Sequence, residues 1–263
     1  MKEDPGGKRP VFPYHDENET QSTAVITLAI IGLNVAVWLF VQGAGTGIAL
    51  ARSICDLGLI PGELTGTLAT GTRFPMGEGI VCLTDPGRQV SHVFTSMFLH
   101  GSWMHLIGNM WFLWVFGNNI EDSMGHVRFV AFYLACGVAA ALLQVAFNPA
   151  SVIPMVGASG AISGVMGGYL VLYPRVRVYT LVPIGFLLTS IALPAWTMIF
   201  YWALIQFVSG LTGLAVEEQG GVAFWAHIGG FVAGLVLIKL FARPTAVRSR
   251  SGQPWQPRRF EGR

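Results

Sequence analysis

Charge is what this sequence has least of. Only 11% of its 263 residues are Asp, Glu, Lys or Arg, against about 25% in an ordinary soluble domain. Of those few charges, eight precede residue 20 and eight follow residue 238. A typical soluble globule is therefore excluded. Net charge is only +2, and the basic residues are not interleaved with aromatics along a groove, which excludes a nucleic-acid partner. No internal repeat and no low-complexity tract stands out, and H-E-x-x-H, the zinc-protease signature, is missing.

What fills the space is apolar: 52% of the chain. Lipid offers the backbone no hydrogen bonds, so a crossing of about 30 Å takes roughly 20 helical residues at about 1.5 Å each. Uncharged stretches run from Thr20 to Ala51, Gln89 to Ile120, Phe129 to Pro174, Val178 to Val216 and Gln219 to Ile238. Asn148 and Pro149 form a turn signal that splits the third. The expected spans are Ala24 to Gln42, Trp103 to Phe116, Phe129 to Phe147, Ala158 to Tyr173, Ala195 to Thr212 and Phe224 to Phe241. Tyr179 to Leu193 is read as a loop or a surface-lying segment.

Basic residues support that count. With six crossings, 13 Lys and Arg fall on the side of the termini and three (Arg52, Arg73, Arg88) on the other. The positive-inside rule then places both ends in the cytoplasm, with the plasma (inner) membrane as the expected location, and a seventh crossing would put the basic tail outside. The fold class is an all-α membrane protein: residues 1–23 a cytoplasmic tail, 24–242 a six-helix transmembrane unit, and 243–263 a basic cytoplasmic tail. A long outer loop, residues 43–90, carries Cys55 and Cys82 on the side where a disulfide can persist. Whether they pair is left open by the sequence. The A-x-A pattern at Ala49 to Ala51 is compatible with a signal peptide, but the first apolar run is longer than such a segment needs and is read as a retained anchor.

Strongly polar groups inside spans are expensive and face protein or water. The second span supplies His100, His105 and Asn109, the last two one turn apart on one face. The fourth opens with Gly157-Ala-Ser-Gly-Ala-Ile-Ser-Gly164, giving Ser159 and Ser163, and the sixth with Trp225-Ala-His-Ile-Gly-Gly230, giving His227. In the six-span topology these three helices descend together from the outer face, so all the polar groups share one depth. A hydroxyl, an imidazole and hydrogen-bond donors at one depth make a nucleophile, a base and an oxyanion site. Gly157, Gly160, Gly230 and Gly234 leave small helix faces that permit the close approach such chemistry needs.

These motifs resemble the rhomboid intramembrane serine proteases. The resemblance covers roughly Gln89 to Lys239 and includes His100 to Asn109, Glu121-Asp-Ser-Met-Gly125, Gly157-Ala-Ser-Gly160 and Ala226-His-Ile-Gly-Gly230 with Gly234. It implies a dyad without a third carboxylate: Ser159 the nucleophile and His227 the general base. His105, Asn109 and the Ser159 amide match the oxyanion donors, and Glu121 and Gly125 match a structural loop motif. Single-pass membrane proteins are the implied substrates, cut near the outer face, with the fifth span and the loop Glu217 to Gly221 moving, on Pro194, Gly220 and Gly221, to admit them. No cofactor and no metal is expected. One position departs: where many members carry an aromatic residue four after the nucleophile, packed on the base, this chain has Ser163.

Rival readings use the same residues. His100, His105 and His227 are potential metal ligands, a channel or proton-coupled transporter would also place His and Asn in a membrane cavity, and a non-catalytic relative would bind membrane helices without cutting them. The spans lack the buried carboxylates a transporter would use. His100 alone divides evenly between fixing the outer loop and sensing substrate charge.

Overall fold

The computed structural model describes residues 15–18, 20–76, 80–184, 187–215 and 223–243. The chain is mostly helical. After a short strand, β1 (His15–Asp16), comes helix α1 (Val25–Ala36), which continues as a π-helical turn through Val41. The connection between α1 and α5 holds α2 (Gly47–Leu57), α3 (Pro61–Thr65), the hairpin of β2 (Arg73–Pro75) and β3 (Val81–Leu83), and α4 (His92–Thr95). Then follow α5 (Trp103–Met124), α6 (His126–Phe147), α7 (Ser159–Leu172), β4 (Arg177–Ile184), β5 (Leu187–Pro194), α8 (Ala195–Ala215) and α9 (Phe224–Phe241).

Among the described residues, three helices are long and apolar enough to cross a membrane: His126–Phe147, Ala195–Thr212 and Phe224–Phe241. Val25–Val41 and Ser159–Leu172 are apolar but shorter. Helix α5 has the length, 22 residues, but His105, Asn109, Asn118, Asn119, Glu121 and Asp122 dilute its apolar character. It ends at Met124 rather than Phe116 because only Gly125, at φ 83°, breaks the helix.

Helix α7 sits at the centre. Of its 14 residues, Gly160 through Tyr169 are buried, enclosed by α5, α6 and α9. Phe116, Phe129, Phe132, Tyr133 and Tyr169 fill the core around it. Helix α8 is peripheral: 17% of its apolar window is buried against 50% for α6, and it rests chiefly on α9. The α7–α9 seam is backbone against backbone. A Cβ on Gly230 would collide with the Gly160 carbonyl, and one on Gly234 with the Gly164 carbonyl.

At the end of the bundle away from Ser159, α1 has no capping side chain of its own. Glu121 of α5 supplies the cap, accepting from the Ile26 amide at 2.9 Å and from the Thr27 amide and hydroxyl at 2.7 Å. A carboxylate at a helix N-terminus meets both the free N–H groups and the positive dipole end. His126 Nδ1 lies 2.6 Å from the same carboxylate. Asp122 holds the preceding segment through the amides of Gln21 and Ser22. Nearby, buried Asp16 accepts from Tyr169 at 2.5 Å and from Asn119 at 2.6 Å, tying β1 to α5 and α7.

The segment from Tyr179 to Leu193 is more regular than a loop. It forms the antiparallel β4–β5 hairpin, with β1 on its edge through His15 opposite Tyr179. Val178, Tyr179, Thr180, Val182, Thr189 and Ile191 are β-branched or aromatic, which favours a paired extended chain over a helix. In the connection between α1 and α5, Cys55 and Cys82 are bonded, linking α2 to β3. The tails and Glu217 to Gly221 lie outside the described residues, so Gly220 and Gly221 do as well, while Pro194 stands at the β5–α8 junction.

Candidate active site

The starts of α5, α7 and α9 converge on one cavity of about 520 Å³, lined by Ser102, His105, Asn109, Ser159 and His227 among others. Ser159 is the first residue of α7 and His227 stands one turn into α9. The Ser159 Oγ is 2.7 Å from His227 Nε2, a full hydrogen bond between residues 68 apart in sequence. That approach follows from the glycine seam, since α7 and α9 come within backbone contact one turn below the pair. On the far side of α7, a Cβ on Gly160 would press on Ala140 of α6. The α9 start is also held by Gln144 of α6, whose Oε1 accepts from the Ala226 amide at 3.2 Å.

Two donors line the same cavity as the hydroxyl. Asn109 Nδ2 is buried and has no hydrogen-bond partner among the described residues. His105 receives the Gly101 amide at Nδ1, a long contact of 3.4 Å, which leaves the proton on Nε2. Both side chains border Gly157. A Cβ there would lie 2.7 Å from His105 Nε2 and 3.6 Å from Asn109 Nδ2, and its φ of 126° is open to glycine alone. The first turn of α7 has no side-chain cap, so its backbone N–H groups are left for another acceptor.

His100 is the sequence candidate that stands apart. It is fully buried and does not line the cavity. Its backbone is held reciprocally by Gln42, which donates to the His100 carbonyl and accepts from its amide, each at 2.8 Å. Its ring lies edge-on to His105, with centroids 5.1 Å apart. Of its two expected roles, sensing substrate charge does not fit this burial: His100 packs on His105 and joins the α5 approach to the end of α1. Among the described residues no three His, Cys, Asp or Glu side chains are grouped to hold a metal ion.

Sequence reasoning missed one participant. His227 Nδ1 lies 2.7 Å from Gln206 Oε1 of α8, and Trp202, one turn earlier, packs on the imidazole with centroids 6.0 Å apart. Ser163 is occupied elsewhere, donating to the Ser159 carbonyl at 2.6 Å. A lone carboxamide inside an apolar span was the available signal, of the same kind that singled out Asn109.

A serine hydroxyl bonded to an imidazole, with hydrogen-bond donors lining the same cavity, is the arrangement that serine hydrolases use. The family follows from comparison. The Rhomboid domain model matches residues 87–244, and the chain belongs to the rhomboid family, whose members are in general intramembrane serine proteases. It is 31% identical over 155 residues to the RHOMBOID-like protein 6, mitochondrial, of Arabidopsis thaliana, covering 57% of this chain and 43% of that protein. It is 32% identical over 173 residues to Rhomboid-like protease 5 of Toxoplasma gondii, 64% of this chain and 18% of that one. With Rhomboid protease GluP of Bacillus subtilis it shares 30% identity over 152 residues, 58% and 26% of the two chains. The matched segment spans less than half of each of these relatives.

Proposed function

We propose that this protein is an intramembrane serine endopeptidase that cuts membrane-protein segments through a Ser159–His227 dyad. The observation that carries the reading is the 2.7 Å bond between Ser159 Oγ and His227 Nε2 at the wall of the cavity. His227 takes the hydroxyl proton as Ser159 attacks a peptide carbonyl and returns it to the leaving amine. Asn109 Nδ2, His105 Nε2 and the Ser159 amide receive the oxyanion, and water then releases the acyl group from Ser159. Preorganised donors of this kind cost no reorganisation as charge develops.

The six-crossing topology with both termini in the cytoplasm, in the plasma membrane, is part of the same reading. It rests on the distribution of Lys and Arg. Two pairings support it: β1 lies on β4, and the Arg243 amide donates to the Ser123 carbonyl, gathering both chain ends at the Glu121 end of the bundle. Helix α7 measures about 21 Å at about 1.5 Å per residue, so a helix reaching that face starts beneath the opposite one. The cavity then opens toward the outer leaflet. Single-pass membrane proteins are the proposed substrates, entering past α8. Their helices must unwind to present a carbonyl, so helix-weakening residues near the cut favour cleavage.

The test is cleavage of a fluorogenic transmembrane peptide by the purified full-length protein in detergent. Wild type is expected to cut it, and Ser159→Ala and His227→Ala to lose activity completely within detection. Cleavage surviving Ser159→Ala overturns the dyad; loss of wild-type cleavage to a chelator favours metal chemistry instead.

A further inference from the structure

We infer that Gln206 is the positioning residue of the base: its side-chain oxygen fixes the proton of His227 on Nδ1, and it does so from α8, the most loosely packed long helix. The inference rests on the dyad reading above and adds to it the group that orients the imidazole. The contact has one chemically useful sense. A carboxamide oxygen has no proton, so a 2.7 Å contact between Oε1 and Nδ1 requires N–H on that nitrogen. The other ring nitrogen then carries the lone pair, and it is the one 2.7 Å from Ser159 Oγ. Were the amide turned, its NH₂ would donate to Nδ1, the proton would sit on Nε2, and two donors would face each other at the nucleophile.

Position and chemistry agree with the role. Trp202 and Gln206 are four apart on α8 and so share one face, and both meet His227. That face takes over the support which Ser163, bonded to the Ser159 carbonyl, does not give. A carboxylate would orient the ring as well, but an ion beside lipid-facing α8 carries a desolvation penalty that a neutral amide avoids. When His227 accepts the serine proton, the amide oxygen still accepts from Nδ1 and stabilises the imidazolium by its dipole. Because the acceptor rides on α8, displacement of that helix releases the ring. The dyad is competent when α8 lies against α9.

The experiment compares Gln206→Met, which keeps the length and removes the acceptor, with Gln206→Glu, which keeps an acceptor oxygen. It uses full-length protein and reads cleavage of the fluorogenic transmembrane peptide together with the rate at which a small fluorophosphonate labels Ser159, per folded molecule by size exclusion. Orientation of a general base carries part of its roughly 10²–10⁴-fold effect, so Gln206→Met is expected to lower kcat and labelling about 10- to 100-fold. KM should stay within about twofold, because the residue touches no substrate. Gln206→Glu should recover about tenfold or more of the lost labelling rate. Wild-type labelling by Gln206→Met, or equal impairment of the two variants, overturns the role of Gln206 and leaves the dyad standing. Labelling or cleavage by Ser159→Ala overturns the dyad itself.

Discussion

Asn109 Nδ2 makes no hydrogen bond to the described protein groups around it. Leaving a buried donor without a partner costs roughly 1–3 kcal/mol, and a substrate oxyanion near Ser159 would recover it when charge develops. Asn109→Ala is therefore expected to lower kcat by about 10²–10³, the loss typical of an oxyanion donor, with KM little changed. The melting temperature should hold or rise, since the variant removes the orphan along with the donor; a fall in stability with kcat intact would show a packing role instead. At this scale the sequence was informative wherever a polar group stood inside a span with a recognisable neighbour. Ser159, His227, His105 and Asn109 meet at the cavity as their shared depth implied. Gln206 stands alone in an apolar run with no motif beside it, and spacing along the chain does not show that His100, in the non-helical stretch before α5, is buried away from the cavity.

Among elements, the α7–α9 seam decides whether the dyad can form at all. Gly230→Val puts a branched side chain against the Gly160 carbonyl, and overpacking of this kind costs about 1–3 kcal/mol or more. The helices must separate just where Ser159 and His227 meet, so activity is expected to fall at least about 100-fold, given how steeply catalysis depends on sub-ångström placement. Gly32→Val in α1 is the matched control, because a Cβ there meets nothing within 4 Å; equal loss in both variants would refute the seam argument. The mostly helical character was legible from apolar run length. The helix ends were not, because ends depend on tertiary partners: α5 continues past Phe116 into a stretch whose polar residues are claimed by α1 and β1. The β4–β5 hairpin escaped notice for the same reason, its pairing partner on one edge being the distant His15–Asp16.

For the molecule as a whole, Glu121 is the clasp between the first helix and the rest. Glu121→Ala leaves the Ile26 and Thr27 amides and the Thr27 hydroxyl without their acceptor. At about 1–3 kcal/mol for each buried orphan, the variant should lose several kcal/mol, read as a fall in thermal midpoint in detergent, with the fluorophosphonate labelling rate of the surviving folded fraction near wild type. Labelling lost without a stability change would instead mean that the clasp acts on the site.

At the opposite end, the connection between α1 and α5 is sewn down. The Leu59 and Met155 backbones bond in both directions at 3.1 and 2.8 Å. The Gly62 amide reaches the Ser151 carbonyl, Thr65 and Thr67 share that of Pro149, and the Gly157 amide, two residues from the nucleophile, donates to Ser96. A disulfide closes the same region upon itself. Masonry fastened on so many sides makes a lintel and not a door. On the proposed reading, substrate reaches Ser159 past α8, whose Gln206 oxygen meets the imidazole, so that opening that flank and disarming the chemistry become one movement.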